Sequence, residues 1–273
     1  MTSIAGKNVL LTGASGGIGV YIARALAKQG ANVICVARSE AALSSLVTEI
    51  KLSGGKATSF PFDISKLEEL PKLIEQITQT VGGVGILINN AAIEKYSAFQ
   101  NYCLDDIRSI LTTNLMAGIE LTRLLLPGMI ARDSGHVVNI SSGSGKKGAP
   151  YNSIYSATKA GLIMWTDSLR QELAGSNVRA TVVCPGYTNA GMFLAFGLSA
   201  PKMARVSEPT DVANAILHAI EKNYGEVMLD GFLTKILFAY IQLVPDFGDR
   251  LYRWIGLTKL NQTCATNRMG TKG

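Results

Sequence analysis

Tyr155 and Lys159, four residues apart, are the pair in this sequence best suited to acid–base chemistry. The residue pattern predicts a helix from Ser153 to Leu173, so both side chains project from one helix face. A neighbouring ammonium favours the charged form of a phenol, and we expect it to lower the pKa of Tyr155. Ser142 follows a strand-like run and can reach the same point, where it would hold an oxygen that gains or loses a proton. Alone, a tyrosine–lysine pair at this spacing is usually a surface contact on a helix.

The segments around this pair alternate between strand-like and helix-like patterns. The chain has 273 residues, 47% of them hydrophobic, and 28 glycines, which fits one α/β domain with a substantial core. Such alternation predicts a doubly wound parallel sheet with right-handed crossovers. The carboxyl edge of that sheet is where a dinucleotide binds, and Gly13, Asn90, Ser142 and Pro185 all fall there.

A glycine-rich turn follows the first predicted strand, Asn8 to Leu11, and leads into a helix that reaches Gln29. Its glycines let the backbone approach a pyrophosphate, which would lie at the helix N-terminus. The spacing reads both as Gly-x-x-x-Gly-x-Gly and as Gly-x-x-Gly-x-x-Gly. The residues of this turn are Gly13, Ser15, Gly16, Gly17, Ile18 and Gly19.

The end of the second predicted strand indicates which dinucleotide is preferred. An NAD site usually places an acid here to accept from the ribose 2′-hydroxyl, but this sequence has Ala37 followed by Arg38 and Ser39. An arginine fork matches a 2′-phosphate, whereas an acid would repel it. The sequence therefore predicts NADP(H), with NAD(H) the weaker candidate. The alternative for Arg38 is a solvated residue at a strand end.

Two further motifs accompany these residues: Asn89-Asn90-Ala91-Ala92 at the end of the fourth strand, and Asn114 within a helical stretch from Leu104 to Arg132. Together with the glycine turn and the Tyr-x-x-x-Lys pair, they resemble the compact branch of the short-chain dehydrogenase/reductase family. The resemblance covers roughly Lys7 to Asp230. It implies a Rossmann-type sheet of about seven strands and a catalytic tetrad, with the asparagine in a proton relay to the lysine. The tetrad residues are Asn114, Ser142, Tyr155 and Lys159.

The resemblance also implies a set of cofactor contacts along the carboxyl edge. Asp63 would contact the adenine, although an acid there also helps to start the next helix. Where Ala190 stands the family commonly has a threonine, so Thr188 is expected to replace that contact near the nicotinamide. The implied contacts are Gly13, Ser15, Gly16, Gly17, Ile18, Gly19, Arg38, Ser39, Asp63, Asn90, Ala91, Tyr155, Lys159, Pro185, Gly186 and Thr188.

The function implied by the resemblance is NADP(H)-dependent interconversion of a carbonyl, a ketone or aldehyde, and an alcohol. The apolar stretch from Met192 to Met203 lies where the family has a mobile substrate loop, and its composition favours an apolar, lipid-like substrate. The alternative is a sensor or scaffold protein that binds NADP(H) without turnover. A sugar-nucleotide epimerase is disfavoured because the chain lacks residues for a separate substrate domain.

Residues 232–273 form an extension beyond the predicted catalytic unit, residues 1–231. Apolar residues from Phe232 to Val244 recur at helical spacing, and a second amphipathic segment follows from Phe247 to Ile255. This extension carries six basic and two acidic residues, so it holds +4 of the net charge of +6. It either packs on the domain or on another copy, or it lies on a membrane surface. From Asn261 onward we expect a loose end.

Composition excludes several other classes of protein. The cysteines Cys35, Cys103, Cys184 and Cys264 show no paired or metal-like spacing, and there are only two histidines, so we expect no metal site. No nucleic-acid motif accompanies the basic extension. The first strand begins too early for a signal peptide, which predicts a cytoplasmic protein. The expected partners are a small-molecule substrate and further copies of the chain, as a homodimer or homotetramer.

Overall fold

The structure is a computed structural model that describes residues 1–195, 200–201, 204–229 and 231–267. Its strands are β1 (Asn8–Thr12), β2 (Asn32–Ala37), β3 (Lys56–Pro61), β4 (Ile86–Asn89), β5 (Gly135–Ile140), β6 (Val178–Cys184), β7 (Tyr187–Thr188), β8 (Val206–Ser207) and β9 (Glu226–Met228). Its α-helices are α1 (Ile18–Lys28), α2 (Glu40–Leu52), α3 (Leu70–Val81), α4 (Leu104–Leu111), α5 (Ala117–Ala131), α6 (Ser153–Glu172), α7 (Gly191–Ala195), α8 (Pro209–Lys222), α9 (Gly231–Leu243), α10 (Pro245–Trp254) and α11 (Leu257–Asn267).

The main sheet has seven parallel strands in the order β3-β2-β1-β4-β5-β6-β9. Successive side chains of a strand point to opposite faces, so Val9 and Leu11 enter the core beneath α1, α2 and α8, while Leu10 enters the core beneath α3 and α5. Both faces are covered, as a parallel sheet of apolar strands requires. The predicted doubly wound Rossmann-type fold is confirmed.

Polar side chains tie the carboxyl edge of the sheet together. Asn89 Nδ2 donates to Asn139 Oδ1 at 2.8 Å, and Asn139 Nδ2 donates to Thr166 Oγ1 at 2.8 Å. Asn90 Nδ2 donates to the Thr12 carbonyl at 3.0 Å. Because these buried amides are bonded to neighbouring elements, the strand ends that carry the site keep fixed spacing.

The stretch from Leu104 to Arg132, which reads in the sequence as one or two long helices, is divided in two. It contains α4, a π-helical turn at Thr112–Met116, and α5. Asn114 lies in that wide turn, and its side chain bonds outside the helix instead of facing solvent. Single π-turns are often found at functional sites, where they aim one side chain away from the regular helical ladder.

The extension after residue 231 folds into α9, α10 and α11 over the carboxyl edge. The expectation of a loose end from Asn261 is wrong for residues 261–267, which form most of α11 and bury Asn261 and Cys264. Asn261 Nδ2 donates to the Pro150 carbonyl at 2.9 Å, which fixes the helix to the loop before α6. Residues 268–273 lie outside the described part of the chain. No helix in the described part is long and apolar enough to cross a bilayer.

His136, at the opposite edge of the sheet, gives a prediction about stability. It is fully buried, and its Nε2 lies 2.8 Å from Thr181 Oγ1, which itself donates to the Tyr224 carbonyl. Nε2 must therefore carry the proton, and burial lowers the pKa of His136 to about 3. The unfolded chain takes up this proton near pH 6.5, so folding stability falls as pH drops from there toward 3, by about 1.4 kcal/mol per pH unit.

We expect His136→Gln, which keeps a donor for Thr181 but does not titrate, to lose this part of the acid sensitivity. Urea unfolding at a series of pH values measures it. The exposed His218→Gln serves as the matched control and should keep the wild-type slope. A His136→Gln slope equal to wild type between pH 6 and 4 would contradict the assignment.

Candidate active site

Helix α6 presents Tyr155 and Lys159 together, as their spacing predicts. Both are buried, and Lys159 Nζ lies 5.4 Å from the centre of the Tyr155 ring. The ammonium donates to the Ile140 carbonyl at 2.8 Å, at the end of β5. Ser142, two residues further on, is close enough to hydrogen-bond the Tyr155 hydroxyl. The structure thus brings the serine, tyrosine and lysine to one point at the carboxyl edge of the sheet.

The predicted lowering of the Tyr155 pKa is wrong for this structure. Burial raises that pKa above its ordinary value and the Glu94 carboxylate raises it further, whereas the hydrogen bond with Ser142 opposes both. Lys159 approaches the face of the ring and gives its hydrogen bond to a carbonyl, so it does not compensate for the lost solvation of a phenolate. Tyr155 is therefore protonated at neutral pH.

Asn114 lies beside this group but does not line the cavity. Its Oδ1 accepts from the Ile93 amide at 2.8 Å, and its Nδ2 donates to the Ile93 carbonyl at 2.8 Å and to Thr158 Oγ1 at 3.3 Å. Its amide thus joins the loop after β4 to α6, and its part in a proton relay stays a prediction.

The glycine turn fits a pyrophosphate in its backbone geometry. Gly13 and Gly17 have positive φ angles, and a Cβ on Gly13 would lie 2.8 Å from the Ala91 Cα. A Cβ on Gly19 would lie 2.1 Å from the Gly13 carbonyl oxygen, so Gly19 permits the close packing of α1 on the turn. The first turn of α1 has no side-chain cap, and the Gly19 amide donates to the Gly16 carbonyl at 3.0 Å. An uncapped helix N-terminus of this kind favours an anion.

A cavity of about 1280 Å³ runs from this turn to Ser142, Tyr155 and Lys159. Of the residues predicted for the site, only Gly19 and Asn114 are not on its wall. Gly19 lies behind the turn, and Asn114 lies behind Ile93. The predicted residues that line the cavity are Gly13, Ser15, Gly16, Gly17, Ile18, Arg38, Ser39, Asp63, Asn90, Ala91, Ser142, Tyr155, Lys159, Pro185, Gly186 and Thr188.

The end of the cavity that is predicted to hold the adenosine lies at the carboxyl ends of β2 and β3. Arg38 and Ser39 line it, and Ser39 Oγ also caps α2 by accepting from the Ala42 amide at 3.3 Å. Asp63 Oδ1 accepts from the Ser65 amide at 3.0 Å, and hydrogen bonds from Ser65 together with the charge of Arg38 outweigh burial, so its pKa is lowered. This end therefore combines one cation with one ionised acid.

The segment after β6 contains Ala190, which stands where the family commonly has a threonine. Thr188 is buried, and its hydroxyl donates to the Gly186 carbonyl at 3.4 Å, while Ala190 also lines the cavity. In the predicted substrate loop, Met192 and Phe193 line the cavity and Phe193 packs edge-on against Tyr187 at 5.3 Å. Residues 196–199 and 202–203 of this loop lie outside the described part of the chain.

Sequence reasoning missed most of the wall opposite the glycine turn. Glu94 and Tyr96, after β4, face the catalytic side chains, and no motif marks them. The extension supplies an apolar wall. Its apolar residues were predicted to pack on the domain or on another copy, or to lie on a membrane surface, but the residues that line the cavity were not identified. Its apolar residues on the cavity are Leu233, Leu237, Phe238, Ile241, Leu251, Trp254, Ile255, Leu257 and Leu260.

Comparison with known proteins agrees with this geometry. The family model for short chain dehydrogenases matches residues 7–197. The ketoacyl reductase HetN of Nostoc sp. strain PCC 7120 is 51% identical, covering 98% of this chain and 96% of its own length. A metagenomic short-chain oxidoreductase crystallised with NADP is 30% identical, with a TM-score of 0.73 over 84% of this chain and 98% of its own. A Burkholderia phymatum short chain dehydrogenase/reductase crystallised with NAD shares the fold, with a TM-score of 0.76 at 23% identity over 84% of this chain and 90% of its own.

The chain belongs to the short-chain dehydrogenase/reductase family. It is an oxidoreductase that uses a nicotinamide dinucleotide and interconverts a carbonyl and an alcohol. The cofactor preference, the substrate and the oligomeric state stay predictions.

Proposed function

We propose that the protein is an NADP(H)-dependent reductase of apolar, lipid-like ketones or aldehydes, working also in the direction of alcohol oxidation. The observation that carries this proposal is the single cavity that joins the glycine turn, the buried Ser142–Tyr155–Lys159 group and the apolar wall of the extension. We assign catalysis and cofactor binding to residues 1–231 and an apolar part of the substrate wall to residues 233–264 of the extension.

The roles of the catalytic residues follow from their surroundings. When bound, the nicotinamide supplies the hydride that the carbonyl carbon receives. Tyr155, protonated in its buried position, donates its hydroxyl proton to the carbonyl oxygen. Ser142 orients that oxygen and hydrogen-bonds the Tyr155 hydroxyl. The Lys159 ammonium, 5.4 Å from the centre of the ring, holds the cofactor ribose and offsets part of the charge left on Tyr155. Asn114 fixes the loop and helix that frame this group.

The test is a turnover screen with NADPH against ketones and aldehydes of increasing chain length, with ketoacyl thioesters included because of the ketoacyl reductase relative. We expect saturable NADPH oxidation with the apolar carbonyls. Tight NADPH binding without turnover of any carbonyl would instead favour the non-catalytic sensor. In that case the catalytic assignment is wrong and the cofactor assignment stands.

The preference for NADP(H) rests on the end of β2. Ala37 stands where an acid would accept from the 2′-hydroxyl, and Arg38 lines the cavity beside it. We expect Arg38→Ala to weaken NADPH binding about ten- to a hundredfold and to leave NADH nearly unchanged, because only NADPH carries the 2′-phosphate.

Fluorescence titration of each nucleotide measures the two dissociation constants. Arg108→Ala removes an equally charged, exposed residue away from the cavity and should change neither constant. Equal affinities of the wild-type protein for NADPH and NADH would defeat the preference before any variant is made.

We further propose that the extension contacts an anionic bilayer. Apolar side chains on the outer side of α9 remain exposed, at 80% for Leu233, 51% for Ile236 and 82% for Leu243. Lys235 on α9 and Arg250 and Arg253 on α10 are also exposed, and such cations favour anionic headgroups over a second positively charged copy. Leu233 and Leu237 also line the cavity, so its mouth opens onto the same apolar face, where a lipid-like substrate would enter.

A further inference from the structure

Glu94 is a carboxylate that the reaction scheme above leaves unused, although the fold positions it tightly. It follows Ile93, whose amide and carbonyl are both bonded by Asn114. Its Oε1 accepts from Nδ2 of Asn152, a fully buried residue at the N-cap of α6. The Glu94 carboxylate is thus tied to the start of the helix that carries Tyr155 and Lys159, and it lines the same cavity.

Lys159 is a buried ammonium, and a nearby carboxylate would stabilise its charge. Only 2% of the residue is exposed, and in the described part of the chain no carboxylate lies within ion-pair distance of its ammonium. A buried ammonium without a nearby negative charge tends to lose its proton. Burial lowers the pKa of Lys159 to about 8, while the charge of Glu94 raises it.

Among the described residues, the other groups around Lys159 do not supply a negative charge. The described residues of the cavity wall include two carboxylates, Glu94 and Asp63, and Asp63 lies beside Arg38 at the far end of the cavity. Burial keeps the Cys184 thiol protonated by raising its pKa to about 12, and it raises the pKa of the phenols as well. Cys184 acts on Lys159 from outside the cavity wall. The described thiol and phenols on the wall itself are Cys264, Tyr96, Tyr155, Tyr187 and Tyr252, and burial raises the pKa of Tyr252 to about 12.

We propose that Glu94 is a positioning residue that supplies the counter-charge for Lys159 and, through Asn152, fixes the start of the catalytic helix. Its charge keeps the lysine as an ammonium and the tyrosine as a phenol across the neutral range. This inference rests on the proposed function only in its effect on turnover, because the charge of Lys159 can be measured without a reaction.

The direct test is an NMR titration of the Lys159 ε-carbon, whose signal is identified by its absence in Lys159→Arg. We expect the titration midpoint to fall by about one pH unit in Glu94→Gln, since a neutral amide of the same shape removes the charge alone. Glu94→Asp retains the charge and should restore most of the midpoint. Glu75→Gln makes the same change at an exposed position on α3 and should leave it unchanged.

Turnover gives a second readout. In Glu94→Gln the alkaline limb of the kcat profile should move to lower pH with the lysine, whereas kcat near pH 6 and NADPH affinity there should stay within about twofold of wild type. Circular dichroism checks folding, and Glu94→Ala replaces Glu94→Gln if the latter is unfolded.

The outcomes separate the two proposals. An unchanged Lys159 midpoint in a folded, charge-removing variant overturns the role of Glu94, whatever its turnover. A lowered midpoint in a protein that reduces no carbonyl supports the role of Glu94 and defeats the proposed function. A uniform loss of kcat at all pH values, with an unchanged midpoint, reduces Glu94 to a packing role.

Discussion

Tyr155→Phe is expected to reduce kcat about 100- to 10,000-fold while NADPH still binds with near wild-type affinity. The ring and its contact with Lys159 remain, but the proton that the carbonyl oxygen would receive is removed. The phenol suits this donor role because burial and the Glu94 carboxylate raise its pKa, so it carries its proton at neutral pH. The loss should therefore appear in kcat much more than in cofactor binding.

Steady-state NADPH oxidation and fluorescence titration of NADPH separate these two effects. Tyr240→Phe makes the same change on the half-exposed outer side of α9 and should keep full kcat. Retention of wild-type kcat in Tyr155→Phe would remove this residue from the chemistry. A loss of NADPH binding equal to the loss of kcat would instead indicate a damaged pocket.

Patterns confined to short stretches of sequence gave most of the fold. Alternating apolar strands and amphipathic helices predicted the parallel sheet, and the Tyr-x-x-x-Lys spacing predicted that both side chains share one face of α6. The spacing of the glycines between a strand and a helix predicted a tight turn, and Gly13 and Gly17 have the positive φ angles that such a turn requires. These predictions were possible because the periodicity of helices and strands is determined by neighbouring residues in the chain.

Features that depend on burial could not be predicted in the same way. The direction of the Tyr155 pKa shift followed from desolvation and from Glu94, which is 61 residues away in the chain and has no motif of its own. At Asn114, an asparagine inside an apolar helix and the family resemblance indicate a bend, but its hydrogen-bond partner Ile93 lies on another element and is not marked in the sequence. Sequence patterns name the reacting side chains, whereas the environment that sets their protonation is tertiary.

The sequence also did not predict which apolar residues of the extension face the cavity and which face outward. Its residues were predicted to form one apolar stripe from Phe232 to Val244, but members of that stripe have different surroundings: Ile241 is 2% exposed and lines the cavity, while Ile236 is 51% exposed and is not on the cavity wall. The side chain of Phe232 lies outside the described part of the chain. Hydrophobicity alone cannot distinguish a substrate wall from an outer surface, because both are apolar.

Two variants, Leu237→Asn and Leu243→Asn, test the cavity wall and the outer surface of α9 one at a time. Each methylene that a substrate buries against the cavity wall contributes about 0.8 kcal/mol, so wild-type kcat/KM should rise about fourfold per added methylene until the wall is covered. Leu237 lines that wall, and an amide there should lower kcat/KM for the longest carbonyls about tenfold while short ones are unaffected. Leu243→Asn should keep the wild-type dependence on chain length, because Leu243 is not on the cavity wall.

Vesicle co-sedimentation completes the comparison. The wild-type protein should bind anionic vesicles more weakly as salt rises, because the cations beside α9 are screened, and Leu243→Asn should bind them less well at every salt concentration. If kcat/KM does not depend on chain length in the wild type, the extension is not a substrate wall. If vesicles are ignored and Leu243→Asn dissociates an oligomer, the outer face of α9 is a contact between copies of this chain, and the bilayer assignment is wrong.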